Sequence, residues 1–118
     1  MRLRALALCL LASPAMAFTA SNGSKVQSTG PGTFTVPYQG IAAPTAFWCA
    51  AGDYATRVLG LPASARIYRA STAPRGAGQA VDFSLAPVPG IKTGLLLLGP
   101  DDGSITLGLA AVLCDSVD

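Results

Sequence analysis

The chain lacks two residue types on which many enzyme active sites depend. None of its 118 residues is histidine or glutamate, and its six acidic residues are all aspartates. Without histidine, Ser-His-Asp and Cys-His catalysis are excluded, together with His-ligated zinc sites and His-based pH sensing. Glycosidase chemistry with two carboxylates would have to use aspartates alone. We therefore expect a protein that is not an enzyme and has no catalytic residues, no metal site and no cofactor.

Two short motifs are better explained as turns than as ligand sites. The run Asp101-Asp102-Gly103-Ser104 lacks the repeated acidic ligands and closing glutamate of a calcium-binding EF-hand loop. The run Gly76-Ala77-Gly78 lacks the Lys-Ser/Thr pair of a phosphate-binding loop. Both runs therefore predict turns.

The first 17 residues have the three regions of a secretory signal peptide. These are a positive start at Arg2 and Arg4, a short apolar region at 5–12 and a small-x-small site at Ala15-Met16-Ala17. Cleavage after Ala17 is predicted, with Ala15 as the next candidate and an uncleaved core helix as the alternative. The apolar run stops at Ser13, short of the roughly 20 residues that a membrane span needs. We expect an exported, periplasmic protein with no stable membrane span after cleavage.

Cleavage would change the length and the charge of the chain. Removing 17 of the 118 residues leaves 101, which suits one small domain. The eight Lys and Arg include Arg2 and Arg4, so the mature chain would carry six basic and six acidic residues. A neutral domain has no general attraction for polyanions, so we expect no nucleic-acid partner.

Cleavage would also remove Cys9 and leave one pair of cysteines. In an oxidising compartment Cys49 and Cys114 predict a structural disulfide. The bond would span 114 − 49 = 65 positions, for which the chain-entropy relation gives about 4 kcal/mol of stabilisation. The alternative is a redox pair, although reactive dithiols usually lie close together in sequence, as in Cys-x-x-Cys.

The mature chain predicts a small α+β domain. Residues 18–32 are rich in Ser, Thr, Asn and Gly, and predict a flexible lead-in with a short strand near Val26. Residues 33–118 predict a single domain, with one main helix on an antiparallel meander of about four strands. The predicted strands are an edge strand at 33–36, the segments 65–70 and 80–86, and the leucine run 94–99 as a central strand covered on both faces.

Residues 44–59 predict the main helix, since Pro44 opens the segment and Gly60 follows it. Cys49 falls on one flank, where the small residues Ala50 and Gly52 would let the C-terminal segment approach. Residues 105–113 fit the period of either a strand or a helix, and a short C-terminal helix over 107–114 with Thr106 as its cap is favoured. At about 100° per residue, the core face of the main helix comprises Phe47, Ala51, Tyr54, Ala55 and Val58, flanked by Trp48 and Leu59.

Four features from Phe47 onward form a distinctive set. They are Phe47-Trp48-Cys49-Ala50-Ala51-Gly52-Asp53-Tyr54-Ala55, then Arg66-Ile67-Tyr68, Val81-Asp82-Phe83-Ser84-Leu85 and the late Cys114. In these features the chain resembles a group of small exported proteobacterial proteins of uncharacterised function. The resemblance implies a periplasmic setting and transfers no activity, ligand or catalytic residue.

Aromatic and guanidinium side chains, which are enriched at interaction hot spots, supply the candidate binding residues. Trp48 and Tyr54 fall in the predicted core, and Asp53 and Arg57 have the spacing of a helical ion pair. The remaining arginines, Arg69 and Arg75 among them, are expected to be solvated at the surface. Arg66 and Tyr68, neighbours on the strand face opposite Ile67, are therefore the candidate partner-binding residues.

These observations favour a non-catalytic interaction or accessory protein that acts in the periplasm on an unidentified protein partner. The alternative is a carrier that holds a small apolar ligand in a pocket between the helix and the sheet.

Overall fold

Six short strands and two helices follow one another along residues 17–115. The computed structural model describes residues 17–115, so all of the predicted signal peptide except Ala17 lies outside the described residues. The strands are β1 (Phe18–Thr19), β2 (Lys25–Gly30), β3 (Thr33–Val36), β4 (Arg66–Arg69), β5 (Val81–Ser84) and β6 (Ser104–Thr106). The helices are α1 (Pro44–Arg57), between β3 and β4, and α2 (Leu107–Asp115), directly after β6.

The strands form one antiparallel sheet in the order β1-β2-β3-β5-β4-β6. The α+β class is confirmed, with six strands and two helices. The order departs from the predicted meander, because the hydrogen-bonded neighbour of β3 is β5 and not β4.

Strands β1 and β2 come from the segment that predicts a flexible lead-in, and β2 contains the short strand predicted near Val26. A third strand outside the four predicted ones is β6. Within residues 18–32, β1 and β2 pair through Phe18 and Val26, and the Val26 side chain is fully buried. The neighbouring side chains of β2 are mostly exposed, so its polar composition reflects a strand with one solvated face. A single buried valine is a weak local signal for such a strand.

The prediction that β3 is an edge strand is wrong. It lies between β2 and β5, and Pro37 follows its last residue. The proline therefore removes no hydrogen bond from within the strand. Phe34 and Val36 face the helix and are buried, with Phe83 and Val81 as their cross-strand partners.

The main helix begins at Pro44 as predicted and ends at Arg57, two residues before the predicted end. Gly60 has a φ of +70°, the left-handed conformation that commonly ends helices. The backbone N–H groups of Val58 and Leu59 both donate to the carbonyl of Tyr54. Val58 lies just beyond the last residue of the helix, and its side chain is exposed. Its predicted place in the core face is therefore wrong.

Aromatic rings fill the space between α1 and the sheet. The Trp48 ring lies edge-on to that of Phe83, with the centroids 4.9 Å apart. The rings of Phe34 and Tyr54 lie 4.8 Å apart, and Phe34 also stacks on Phe83 at 5.9 Å. Burial of these large side chains is the main stabilising contribution to the domain.

The C-terminal segment is a helix that is bonded covalently to α1. The predicted cap is confirmed, because the N–H of Leu109 donates to Thr106 Oγ1 at 3.2 Å. The predicted disulfide between Cys49 and Cys114 is also present, with the two Cα atoms 4.8 Å apart. Beside this bond Gly52 faces Ala110 so closely that a Cβ atom on Gly52 would overlap the alanine methyl group.

The leucine run at 94–99 is not a strand, and the prediction of a central strand is wrong. It belongs to the long connection between β5 and β6. Gly94 and Gly99 have φ values of +78° and +109°, which do not continue a strand. The side chains of Leu96 and Leu98 are fully exposed.

Candidate functional site

The leucine run forms a loop whose base is closed by Asp101. The Asp101 carboxylate accepts hydrogen bonds from Thr93 Oγ1 at 2.8 Å and from the backbone N–H groups of Thr93 and Gly103. Partial burial raises the pKa of Asp101, but the hydrogen bonds from Gly103 and Thr93 outweigh it, so the pKa lies below its ordinary value. We call residues 93–101 the leucine loop.

The base of the loop is also attached to the core. The Trp48 Nε1–H donates to the carbonyl oxygen of Thr93 at 2.9 Å, and Arg69 Nη1 donates to the same oxygen at 3.4 Å. Thr93 is fully buried, and its Oγ1 accepts from the N–H of Leu95 at 3.0 Å. The ends of the leucine loop are therefore fixed while its tip stands in solvent.

An apolar groove of about 430 Å³ lies between the leucine loop, the first turn of α1 and the outer face of α2. We call it the leucine groove, and its only polar side chain is a threonine. It is lined by Pro44, Thr45, Gly94, Leu95, Leu96, Leu97, Leu109 and Leu113. Apolar concavities with few polar groups are typical of small-molecule sites, whose volumes run from roughly 300 to 1,000 Å³.

A smaller pocket of about 160 Å³ adjoins the groove, and we call it the arginine pocket. Pro44 and Gly94 line both concavities. The other residues of the arginine pocket are Ala42, Phe47, Arg69, Pro74, Arg75 and Val81. The guanidinium groups of Arg69 and Arg75 are therefore the only charged groups in a pocket whose other lining residues are apolar.

Arg69 is buried on the sheet face that packs against α1, contrary to the expectation that it is solvated. Its guanidinium donates to the carbonyl oxygens of Ser71, Thr72 and Thr93. Burial and, to a smaller extent, the positive charge of Arg75 lower the pKa of Arg69 from its ordinary value. Its spacing of two residues from Ile67 is the sequence signal for this buried position, since alternate residues of a strand share a face.

Arg75 lies at the other side of the pocket and is held by two aromatic rings. Its guanidinium carbon is 4.9 Å from the ring centroid of Tyr38 and 5.2 Å from that of Phe47. Arg75 Nη1 donates to the carbonyl oxygens of Gly76 and Gln79. These contacts fix the guanidinium without neutralising its charge.

The structure places Arg66 and Tyr68, the two predicted partner-binding residues, on the sheet face opposite the helices. Arg66 Nε donates to Ser104 Oγ at 2.8 Å on the neighbouring strand β6. Tyr68 lines an open groove of about 340 Å³ together with residues 87–92, Asp101 and Asp102.

The charged groups of that second groove are bonded within the protein. The Lys92 ammonium donates to the carbonyl oxygen of Asp101 at 3.0 Å. The Asp102 carboxylate accepts from Ser104 Oγ at 2.7 Å and from the Ser104 N–H, which hold the pKa of Asp102 below its ordinary value. This arrangement stabilises the connections around β6 and leaves few polar groups for a ligand.

The other residues that the sequence analysis names contribute to the stability of the fold. Trp48 and Tyr54 lie in the core, as predicted. Arg57 and Asp53 form the predicted ion pair on α1, with Nε 3.4 Å from Oδ1. Asp53 Oδ2 also accepts from the backbone N–H of Ser21, so this carboxylate joins the N-terminal segment to the helix.

Within residues 17–115, no cluster of three or more His, Cys, Asp or Glu side chains is placed to hold a metal ion. In the same range, neither helix is long and apolar enough to cross a membrane.

Comparison with known proteins adds no relative. No protein-family model matches the chain, and neither a curated protein nor a solved structure matches it.

Proposed function

We propose that this chain is an exported, non-catalytic binding protein whose leucine groove holds a small apolar ligand. The observation that carries the proposal is the groove itself, with a volume of about 430 Å³ and a nearly uninterrupted apolar lining. Leaving leucine side chains in water is unfavourable, since full burial of each contributes about 1.5–3 kcal/mol. A ligand that covers them would recover part of this free energy.

The export part of the proposal is supported by the order of the N-terminal residues. Two arginines, a short apolar run and a small-x-small site precede Phe18. A disulfide between Cys49 and Cys114 suits an oxidising compartment.

The non-catalytic part is supported by the residue types that the chain contains. It has no histidine and no glutamate. Cys49 and Cys114 are bonded to each other, and Asp101 is engaged by Thr93 and Gly103. None of these groups is arranged as a nucleophile with an adjacent base.

The leucine groove lies at a different place from the pocket that the sequence suggests for a carrier. That pocket would lie between helix and sheet, where the rings of Phe34, Trp48 and Phe83 pack against one another. The groove instead opens on the surface between the two helices and the leucine loop. A ligand could enter it without opening the core.

A partner protein is the second candidate occupant, and the exposure of Leu96 and Leu98 favours it. Both side chains stand wholly in solvent, where a protein surface could cover them together. The two candidates differ in one respect. Leu96 lines the groove and Leu98 does not, so a ligand in the groove contacts Leu96, whereas a partner over the loop buries both.

The test is calorimetric titration of the purified protein with 1-octanol, a small apolar probe. Leu96→Asp should weaken binding by about tenfold or more, because a ligand in the groove would cover residue 96 and a carboxylate there would be costly to desolvate. Leu98→Asp is the matched control, since it places the same charge on the same loop outside the groove, and its affinity should equal that of the wild type. Absence of octanol binding would contradict the proposal. Equal loss in both variants would contradict binding in the groove, since Leu98 lies outside its lining.

A further inference from the structure

We propose that the ligand of the leucine groove is an amphiphile with a carboxylate head, such as a free fatty acid of medium chain length. The carboxylate would bind Arg69 and Arg75 in the arginine pocket, and the hydrocarbon chain would lie in the leucine groove. This inference rests on the proposed function and names the chemistry of its ligand.

The arginine pocket and the leucine groove are neighbours on the surface. The arginine pocket and the leucine groove share Pro44 and Gly94 in their linings. At this junction a Cβ atom on Gly94 would come 2.8 Å from Arg69 Nη1, and Gly94 has a φ of +78° that disfavours other residues. Glycine at this position therefore lets the Arg69 guanidinium lie directly against the wall that the two concavities share, so the charge is adjacent to the apolar groove.

Neither guanidinium group of the arginine pocket is paired with a carboxylate among the described residues. Among the described residues the one salt bridge joins Arg57 to Asp53, and no carboxylate lies within 4.0 Å of a guanidinium nitrogen of Arg69 or Arg75. Two neighbouring cations without an anion create a positive potential between low-dielectric walls. An anionic group bound there would neutralise it.

The first turn of α1 adds to this potential. Pro44 is at the N-terminal end of α1 and lines the pocket, and the capping residue Ala43 provides no side-chain hydrogen bond. The positive end of a 14-residue helix dipole therefore lies beside the two guanidinium groups.

Both guanidinium groups of the arginine pocket keep N–H donors that no protein group uses among the described residues. A guanidinium carries five N–H donors. Arg69 uses three for the carbonyl oxygens of Ser71, Thr72 and Thr93. Arg75 uses Nη1 for two carbonyl oxygens, and its Nε and Nη2 make no hydrogen bond within the described residues. Guanidinium donors match a carboxylate in charge and in planar geometry.

The walls of the arginine pocket distinguish a carboxylate amphiphile from an inorganic anion. Phe47, Pro74 and Val81 offer apolar surface around the charge. A phosphate or sulfate could also accept hydrogen bonds from the guanidinium groups, but it would lose water to these walls without gaining any apolar contact. The first methylene groups of an alkyl carboxylate would pack against them and continue past Gly94 into the leucine groove.

The test compares octanoate with 1-octanol, which has the same chain length and no charge. Wild-type protein should bind octanoate about tenfold or more tightly than octanol, because the charge-assisted hydrogen bonds act on the carboxylate alone. Arg75→Gln should remove this preference and leave octanol binding unchanged. Arg57→Gln is the matched control, since it removes an equal charge far from the pocket lining and should leave the preference intact.

Each outcome separates the inference from the proposed function. Equal affinity of the wild type for octanoate and octanol would overturn the carboxylate inference while the apolar groove stands. Equal loss in Arg75→Gln and Arg57→Gln would also overturn it, since net charge would then explain the effect. If neither probe bound, the proposed function itself would fail.

The fluorescence of Trp48 supplies a second readout of where the head group binds. Trp48 is the one tryptophan in the chain, and its indole N–H shares the Thr93 carbonyl with Arg69. Octanoate should shift its emission in the wild type and not in Arg75→Gln. An unchanged spectrum at saturation in the wild type would contradict binding at the arginine pair.

Discussion

Asp101 Oδ2 accepts a hydrogen bond of 2.8 Å from Thr93 Oγ1, and this contact closes the leucine loop at its base. Eight positions separate the two residues, and the four leucines lie between them. The Thr93 carbonyl oxygen also accepts a hydrogen bond from Trp48 in the core. The contact therefore fixes the wall of the leucine groove relative to the core. We therefore expect the shape of the groove to depend on the ionised carboxylate of Asp101.

The first prediction concerns the acid dependence of this contact. Asp101 has a folded-state pKa below its ordinary value of 3.8, so the folded protein binds this proton less tightly than the unfolded chain. The stabilisation is fully present above about pH 4 and is lost as the pH falls through the lower folded-state pKa. Amide exchange protection of Leu95, whose N–H donates to Thr93 Oγ1, should fall in the same range.

Replacement of the carboxylate tests the same contact at neutral pH. Asp101→Asn should lower the free energy of unfolding by about 1–2 kcal/mol, because charge-assisted hydrogen bonds become neutral or are lost. Asp115→Asn, at the exposed end of α2, is the control and should change stability by less than about 0.5 kcal/mol. Unchanged protection of Leu95 in Asp101→Asn would show that the carboxylate does not close the loop.

The second prediction concerns the contact between the two helices. Gly52→Ala should destabilise the protein by about 1–3 kcal/mol, since the new methyl group would overlap Ala110. In an open helix the same change would stabilise by up to about 1 kcal/mol. Ala110→Gly in the Gly52→Ala background should restore part of the loss by removing the opposing methyl group. Chemical denaturation measures all three proteins, and a stabilising Gly52→Ala would contradict the close packing.

The third prediction concerns the disulfide. Replacing Cys49 and Cys114 by serine should lower the free energy of unfolding by about 2–5 kcal/mol, the usual range for a small exported domain. Hydrogen exchange should increase in β6 and α2 before the remainder of the sheet opens, because the bond attaches α2 to α1. Unchanged melting of the double variant, or a disulfide-linked dimer in non-reducing mass spectrometry, would contradict a structural bond within the chain.

Local signals were sufficient for some elements of the fold. Proline at Pro44 and glycine at Gly60 lie next to the ends of α1, and Thr106 caps α2 through its own hydroxyl group. The pairing of Cys49 with Cys114 follows from an even cysteine count once Cys9 is assigned to the signal peptide. Each of these features depends on residues near in sequence or on residue type.

The candidate site could not be predicted in the same way, because its parts come from distant segments. The leucine run has the length and composition of a buried strand, and only Gly94 and Gly99 at its ends indicate a loop. The groove also needs Pro44 from α1 and Leu109 from α2. Arg69 shares the strand face of Ile67, yet its charge suggested a solvated position. Three of its N–H donors bond to backbone carbonyls, and the sequence pattern does not reveal these partners.

The most direct test of the central claim, that the leucine groove is the ligand-binding surface, is methyl NMR during titration with 1-octanol. We predict saturable shifts in the methyl signals of Leu95, Leu97, Leu109 and Leu113, with no comparable change at Ile67 in the core or at Val88 beside Tyr68. Shifts confined to the groove in the wild type and absent in Leu96→Asp would support the account. Shifts centred on the residues around Tyr68, or a spectrum unchanged by octanol, would contradict it.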